Sequence, residues 1–223
     1  MAALVIFDLD GTLIDSRRDL AESTNEMLAS YGAPPRPIDE VAGMVGEGAK
    51  VLVERALAAA GLNADVSEAL DRFRAVYDRR LFEHTRPYPG IVDVIRAAGA
   101  GAALAVLSNK PEAPSRRLLD GFELSRWFRW VVGGDGPFPR KPDPAAVAFL
   151  RAEAGAPPER TLIVGDSAID VETARRAGVR LCVARYGFGR LDAQAIAAGT
   201  DVAATPADVG AAIARFLAVP SGR

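Results

Sequence analysis

The run Leu4-Val5-Ile6-Phe7-Asp8-Leu9-Asp10-Gly11-Thr12-Leu13 decides how the rest of the chain is read. Four apolar residues stand in a row, without the polar alternation of a strand that has one wet face. Such a run suits a parallel strand covered on both sides. It ends on two aspartates one residue apart, then a glycine that lets the chain turn. In open parallel sheets, ligands bind beyond the carboxyl ends of the strands. Asp8 and Asp10 fall at that edge.

Working outward, the same pattern recurs at residues 102–107, 130–132, 162–164 and 181–183. Helical stretches at 90–98, 111–120, 143–154 and 168–177 separate these runs. Alternating strand and helix implies right-handed crossovers and an α/β fold with a Rossmann-like open parallel sheet.

Between residues 13 and 84 the alternation stops, and only helices are expected. One carries Leu20, Thr24, Met27, Leu28 and Tyr31 on a single stripe, with Gly32 placed to stop it. Another carries Val66, Leu70, Phe73, Tyr77 and Leu81 at the same spacing. Between them, Gly43-Met44-Val45-Gly46-Glu47-Gly48-Ala49-Lys50 is a glycine-rich bend that leads into a helix. Pro87-Tyr88-Pro89-Gly90 marks the return to the sheet. The expected organisation is a core of residues 1–15 and 86–223 with a helical cap, 16–85, inserted into it.

Composition narrows the function. The 223 residues are 49% hydrophobic and 25% charged, ordinary for a globular chain. With 27 basic against 29 acidic residues, the net charge of -2 gives no electrostatic reason to expect nucleic acid or an anionic membrane as partner. The lone cysteine, Cys182, and lone histidine, His84, exclude an internal disulfide and paired thiolate or imidazole metal motifs. No stretch approaches the ~20 apolar residues that a spanning helix needs. The expectation is a soluble, cytoplasmic protein. Arginine dominates the basic residues, and the three lysines are Lys50, Lys110 and Lys141. A compact ammonium differs from a planar fork, so these three positions draw attention.

The other strand ends carry polar residues too. Ser108-Asn109-Lys110 follows the second run; Gly133-Gly134-Asp135 and then Lys141-Pro142-Asp143-Pro144 follow the third; Gly165-Asp166-Ser167 and Asp170 follow the fourth. Singly, each reads as a turn or a helix cap. Together, four such groups at successive strand ends place three carboxylates, a hydroxyl and a lysine at one sheet edge. Clustered carboxylates repel unless a positive charge sits among them. Without paired histidines or thiolates, the suitable ion is hard and oxygen-seeking, above all Mg²⁺. Such an ion with a lysine, a hydroxyl and turn amides suits a phosphoryl group, and an aspartate beside them can attack phosphorus.

The run Asp8-Leu9-Asp10-Gly11-Thr12-Leu13 resembles the signature of haloacid-dehalogenase-superfamily phosphatases. Ser108, Lys141 and Gly165-Asp166-Ser167-Ala168-Ile169-Asp170 match its later motifs in order, over essentially the whole chain. The runs 45–57, 85–90 and 133–144 are similar to those of the phosphoglycolate phosphatase group. The resemblance implies that Asp8 is the nucleophile and that Asp10 protonates the leaving alkoxide and later activates water. It implies Mg²⁺ held by Asp8, the Asp10 carbonyl and Asp166, with Asp170 behind them. It implies that Ser108, Asn109 and Lys141 hold the phosphoryl oxygens, with Thr12 beside them orienting Asp10. The true dehalogenases of this superfamily lack an acid two residues after the nucleophile, so Asp10 counts against dehalogenation.

The resemblance further implies a small phosphorylated metabolite as partner, 2-phosphoglycolate first among them, converted to glycolate and phosphate. Another phosphomonoester such as a sugar phosphate, a β-phosphoglucomutase-like phosphotransfer and a non-catalytic phosphate binder stay open as alternatives. The cap bend, through Gly46, Glu47, Gly48 and Lys50, is expected to select the substrate, with Lys50 meeting its carboxylate. Monomer and homodimer are equally compatible with the sequence.

Overall fold

The structure, a computed structural model, describes residues 2–192, 194 and 196–219. The chain opens with β1 (Leu4–Phe7) and β2 (Ile14–Asp15), followed by the helices α1 (Arg17–Ala29), α2 (Ile38–Ala42), α3 (Ala49–Ala59) and α4 (Val66–Arg80). It continues through β3 (Arg86–Pro87), α5 (Ile91–Gly99), β4 (Ala103–Leu107), α6 (Glu112–Gly121) and β5 (Trp130–Val132). The remainder is α7 (Ala145–Ala154), β6 (Thr161–Gly165), α8 (Ala168–Ala177), β7 (Arg180–Ala184), β8 (Asp201–Ala203) and α9 (Pro206–Ala218).

The main sheet runs β5-β4-β1-β6-β7-β8, and all its pairings are parallel. Apolar residues on β1 serve both faces. Val5 and Phe7 join a core with Ile91 and Ile95 of α5 and Ile213 and Phe216 of α9. Leu4 and Ile6 point to the other side, against Val147 and Leu150 of α7. Period-two alternation of side chains between two apolar layers explains the unbroken run in the sequence.

From β1 the chain moves outward to β4 and β5, then returns to β6 on the opposite side of β1. This reversal is the switch point at which open α/β sheets leave a crevice. It fixes the site at the carboxyl ends of β1, β4 and β6.

Of the expected stripes, Leu20, Thr24, Met27 and Leu28 of α1, Leu70, Phe73 and Tyr77 of α4 and Leu81 just beyond it are buried, while Tyr31 and Val66 are half-buried. Helices α1 and α4 pack together, and α4 starts on an Asp65 cap that accepts from the Glu68 amide at 2.8 Å. Contrary to the expectation of helices alone between residues 13 and 84, Ile14 and Asp15 form β2, which pairs antiparallel with β3. Two residues are too few to show a period, so this strand was invisible in the pattern. Buried Asp19 closes the same junction, accepting from the His84 amide (3.0 Å), the Thr85 amide (2.7 Å) and the Thr85 hydroxyl (2.6 Å). β8 and α9 were also missing from the sequence reading, although α9 carries a buried Val209, Ala212, Ile213 and Phe216 stripe after a Thr205–Asp208 capping box.

Candidate active site

Asp8 leaves the end of β1 buried, and its amide is held by the Val164 carbonyl of β6 at 2.9 Å. Lys141 Nζ lies 3.0 Å from Asp8 Oδ1 and 2.7 Å from Asp170 Oδ1. The Asp8–Lys141 contact is an ion pair between two buried groups. Burial pushes the Asp8 carboxyl up to about 6; Lys141 opposes this and the Asp170 charge adds to it.

Asp166 follows β6. Its Oδ2 accepts from the amides of Phe188 (3.1 Å) and Gly189 (2.7 Å), and Thr12 Oγ1 lies 3.4 Å from Oδ1. Burial raises its carboxyl well above the ordinary range, helped by the charges of Asp170 and Asp8. Asp170 has both oxygens committed, Oδ1 to Lys141 and Oδ2 to the Ser167 hydroxyl (2.6 Å) and amide (3.1 Å). It thus closes the capping box of α8 while anchoring Lys141. Both readings of the Ser167–Asp170 pair, helix cap and site member, are true at once.

Oxygens of Asp8, Asp166 and Asp170 lie within 4.8 Å of one another. Three desolvated carboxylates around one ammonium leave an excess of negative charge. An all-oxygen donor set of this kind suits a hard divalent cation. Asp170 is turned to Lys141 and Ser167, whereas Asp8 and Asp166 line the cavity and are the carboxylates placed to meet it directly.

Asp10 stands apart from this group. Ser16 Oγ donates to its Oδ1 at 2.6 Å, and Lys110 Nζ lies 3.1 and 3.0 Å from its two oxygens. Lys110 also donates to Tyr77 Oη of α4 at 2.7 Å. The expected Thr12 contact to Asp10 is therefore corrected: Thr12 leans on Asp166, and Ser16 orients Asp10. Thr12 and Ser16 are both small hydroxyl residues close to Asp10 in sequence, and the turn at Gly11 aims one of them the other way.

A cavity of about 410 Å³ opens above the sheet edge. Asp8, Asp10, Ser108, Asn109, Lys110 and Asp166 line it from below, and Gly46, Gly48, Phe73 and Tyr77 from the helical segment. Asn109 bridges the two sides, its Nδ2 donating to the carbonyls of Gly46 and Lys141, each at 3.0 Å. Lys50 is displaced from the role expected of it. Its side chain is 61% exposed, lies 3.8 Å from Glu54, and borders a different surface pocket. Glu47 is paired with Arg55 rather than turned to the cavity. On α3, the amide end of the helix reaches the cavity while the Lys50 side chain projects outward.

Residues missed in the sequence are Ser16, Tyr77 and the Phe188–Gly189 amides. Lys110 had a signal, since it is a lysine in an arginine-rich chain, but the adjoining proline made it read as a helix start. The Tyr77 hydroxyl was hidden because the ring also satisfies the apolar stripe of α4.

Fold and site together define an α/β enzyme with buried carboxylates and a lysine at the edge of a parallel sheet. The profile of the haloacid dehalogenase-like hydrolase family matches residues 5–184. Over 192 residues, the chain is 45% identical to phosphoglycolate phosphatase 1 of Pseudomonas aeruginosa, covering 83% of this chain and 70% of that one. It is 44% identical over 191 residues to a Pseudomonas putida phosphoglycolate phosphatase, with the same coverage of 83% and 70%. A crystal structure described as a predicted phosphoglycolate phosphatase from Haemophilus somnus 129pt superposes with a TM-score of 0.87 at 31% identity, covering 93% of this chain and 96% of that one. The chain belongs to the haloacid dehalogenase-like hydrolase family, as a phosphoric monoester hydrolase.

Proposed function

We propose that the protein is a Mg²⁺-dependent phosphatase that converts 2-phosphoglycolate to glycolate and phosphate through an aspartyl-phosphate on Asp8. The observation that carries the reading is the buried Asp8 carboxylate, which lines the cavity with Lys141 Nζ 3.0 Å from its Oδ1. The names of the relatives favour phosphoglycolate as substrate. We divide the chain into a core of residues 1–15 and 86–223 and a cap of residues 16–85, which together enclose the substrate.

Asp8 attacks phosphorus as the bond to the leaving oxygen breaks, and Asp10 gives that oxygen its proton. Asp10 then takes a proton from water, whose oxygen attacks phosphorus and releases phosphate from the restored Asp8 carboxylate. Ser108, the Asn109 amide and Lys141 hold the phosphoryl oxygens in line. Asp8, Asp166 and the Asp10 carbonyl would hold Mg²⁺, which when bound offsets the charge of the phosphoryl oxygens and of the carboxylates. Lys141 keeps Asp8 ionised, and Asp170 keeps Lys141 in position.

The test is phosphate release from a panel of small phosphomonoesters with and without Mg²⁺. The expected result is Mg²⁺-dependent release, with 2-phosphoglycolate giving the highest kcat/KM. A sugar phosphate turned over more efficiently would move the substrate assignment, and phosphate binding without turnover would remove the catalytic reading.

A further inference from the structure

We propose that Lys110, held between Asp10 of the sheet edge and Tyr77 of α4, is the group that recognises a carboxylate next to the leaving oxygen and so selects the substrate. This rests on the 2-phosphoglycolate reading above and names the residue that would carry its specificity.

Lys110 lines the cavity although its side chain is only 6% exposed. Besides donating to Tyr77 Oη, its Nζ lies 4.5 Å from the Tyr77 ring centre. Burial disfavours the ammonium, but the charge of Asp10 and the Tyr77 contacts more than offset it and raise the amine's pKa. The same burial pushes the Tyr77 hydroxyl up to about 12, so it stays a neutral partner. An ammonium has three N–H donors. The two Asp10 oxygens and Tyr77 Oη accept from it, and the Asp10 oxygen that carries the proton for the leaving group cannot accept, which leaves that N–H for a ligand.

Reach makes the assignment specific. In 2-phosphoglycolate the carboxylate is attached to the carbon that bears the leaving oxygen. Whatever group protonates that oxygen must therefore lie close to the carboxylate. Asp10 has that task, and Lys110 Nζ is 3.0 Å from Asp10. Other cations that border the cavity are exposed and engaged elsewhere: Arg74 with Asp71 at 3.4 Å, Arg117 with Asp78 at 2.8 Å, and Arg140 with the Gly134 carbonyl at 2.8 Å. A substrate with a neutral carbon at this point would leave the buried ammonium without its third partner, and sites built to bond a group reject analogues that lack it.

The experiment compares 2-phosphoglycolate with ethyl phosphate, which has a similar alkoxide leaving group and no carboxylate. Any effect transmitted through Asp10 strikes both substrates, so the ratio of their kcat/KM values isolates the carboxylate contact. In Lys110→Met that ratio should fall about 10- to 100-fold, the scale of a lost hydrogen bond to a charged group, mostly through KM. Tyr77→Phe, which keeps the ring and the lysine charge, should lower the same ratio about 2- to 10-fold and serves independently of whether the lysine variant folds. If the wild-type protein shows no preference for 2-phosphoglycolate over ethyl phosphate, the substrate reading falls and this inference with it. If the wild-type preference persists in both variants, Lys110 is overturned as the selector while the substrate reading stands.

Discussion

Gly11 lies against the carboxylate of Asp166 so closely that a Cβ at Gly11 would sit 2.0 Å from Oδ2. The backbone there has φ +85°, a conformation that glycine adopts without strain. A glycine after the paired aspartates is therefore required twice, by the turn and by its neighbour across the sheet edge. Gly11→Ala should move Asp166, and displacements of about 1 Å at a reacting centre can cost ~10²-fold in rate. The variant should also lose roughly 1–3 kcal/mol of stability from backbone strain. Steady-state kinetics with a thermal melt checks both; wild-type turnover in a folded Gly11→Ala protein would show that the close packing on Asp166 is dispensable.

Asp8→Asn should abolish turnover, because an amide does not attack phosphorus. Asp10→Asn should slow the reaction by ~10²–10⁴-fold, the range of general acid–base help, and most for poor leaving groups. p-Nitrophenyl phosphate needs little protonation on leaving, so its phosphorylation step should suffer least in the Asp10 variant. Single-turnover measurements separate that step from hydrolysis. Equal losses for ethyl and p-nitrophenyl phosphate in that step would take the acid role away from Asp10.

Removal of divalent ions with EDTA should stop the reaction, and Mg²⁺ should restore it. Ca²⁺ should inhibit, because it accepts six to eight oxygen ligands in loose geometry and would misplace Asp8 for in-line attack. Full activity in Ca²⁺ or in EDTA would contradict the assignment of the carboxylates to a Mg²⁺ site.

Cys182 lies within β7 with its side chain enclosed, and burial pushes its thiol up to about 12 from 9. It should resist a thiol reagent at pH 8 until the protein is unfolded. The folded thiol holds its proton above the value at which the unfolded one releases it. Its contribution to stability is thus full below pH 9 and declines as the pH rises toward 12. Denaturant titrations of the wild-type protein and Cys182→Ala should differ in their pH dependence by up to one proton across that window, with the variant showing the shallower decline. Identical slopes would mean that the thiol ionises as freely in the fold as outside it.

How much of this was legible depends on the range of the interaction involved. Apolar runs at β1, β4, β5, β6 and β7 and the stripes on α1 and α4 declared themselves, because a buried element must carry its own hydrophobic residues at its own period. The polar residues at strand ends were legible for a related reason: in a parallel sheet, every strand delivers its following loop to the same edge. Two-residue β2 escaped notice because it has no period to show, whereas α9 carried a readable signal in its Val209, Ala212, Ile213 and Phe216 stripe and Thr205–Asp208 box.

What the sequence by itself determined is the α/β class and that Asp8, Asp10, Lys141 and Asp166 follow strands whose carboxyl ends share one sheet edge, the candidate site. Only the tertiary structure decided who touches whom. Ser16 rather than Thr12 holds Asp10, Lys110 rather than Lys50 faces the cavity, and Tyr77, 33 residues from Lys110 along the chain, comes to rest against it. Contacts between residues remote in sequence depend on how helices and loops pack, and on where each side chain is aimed by its backbone. Those directions are set by the whole core at once, so no local pattern records them.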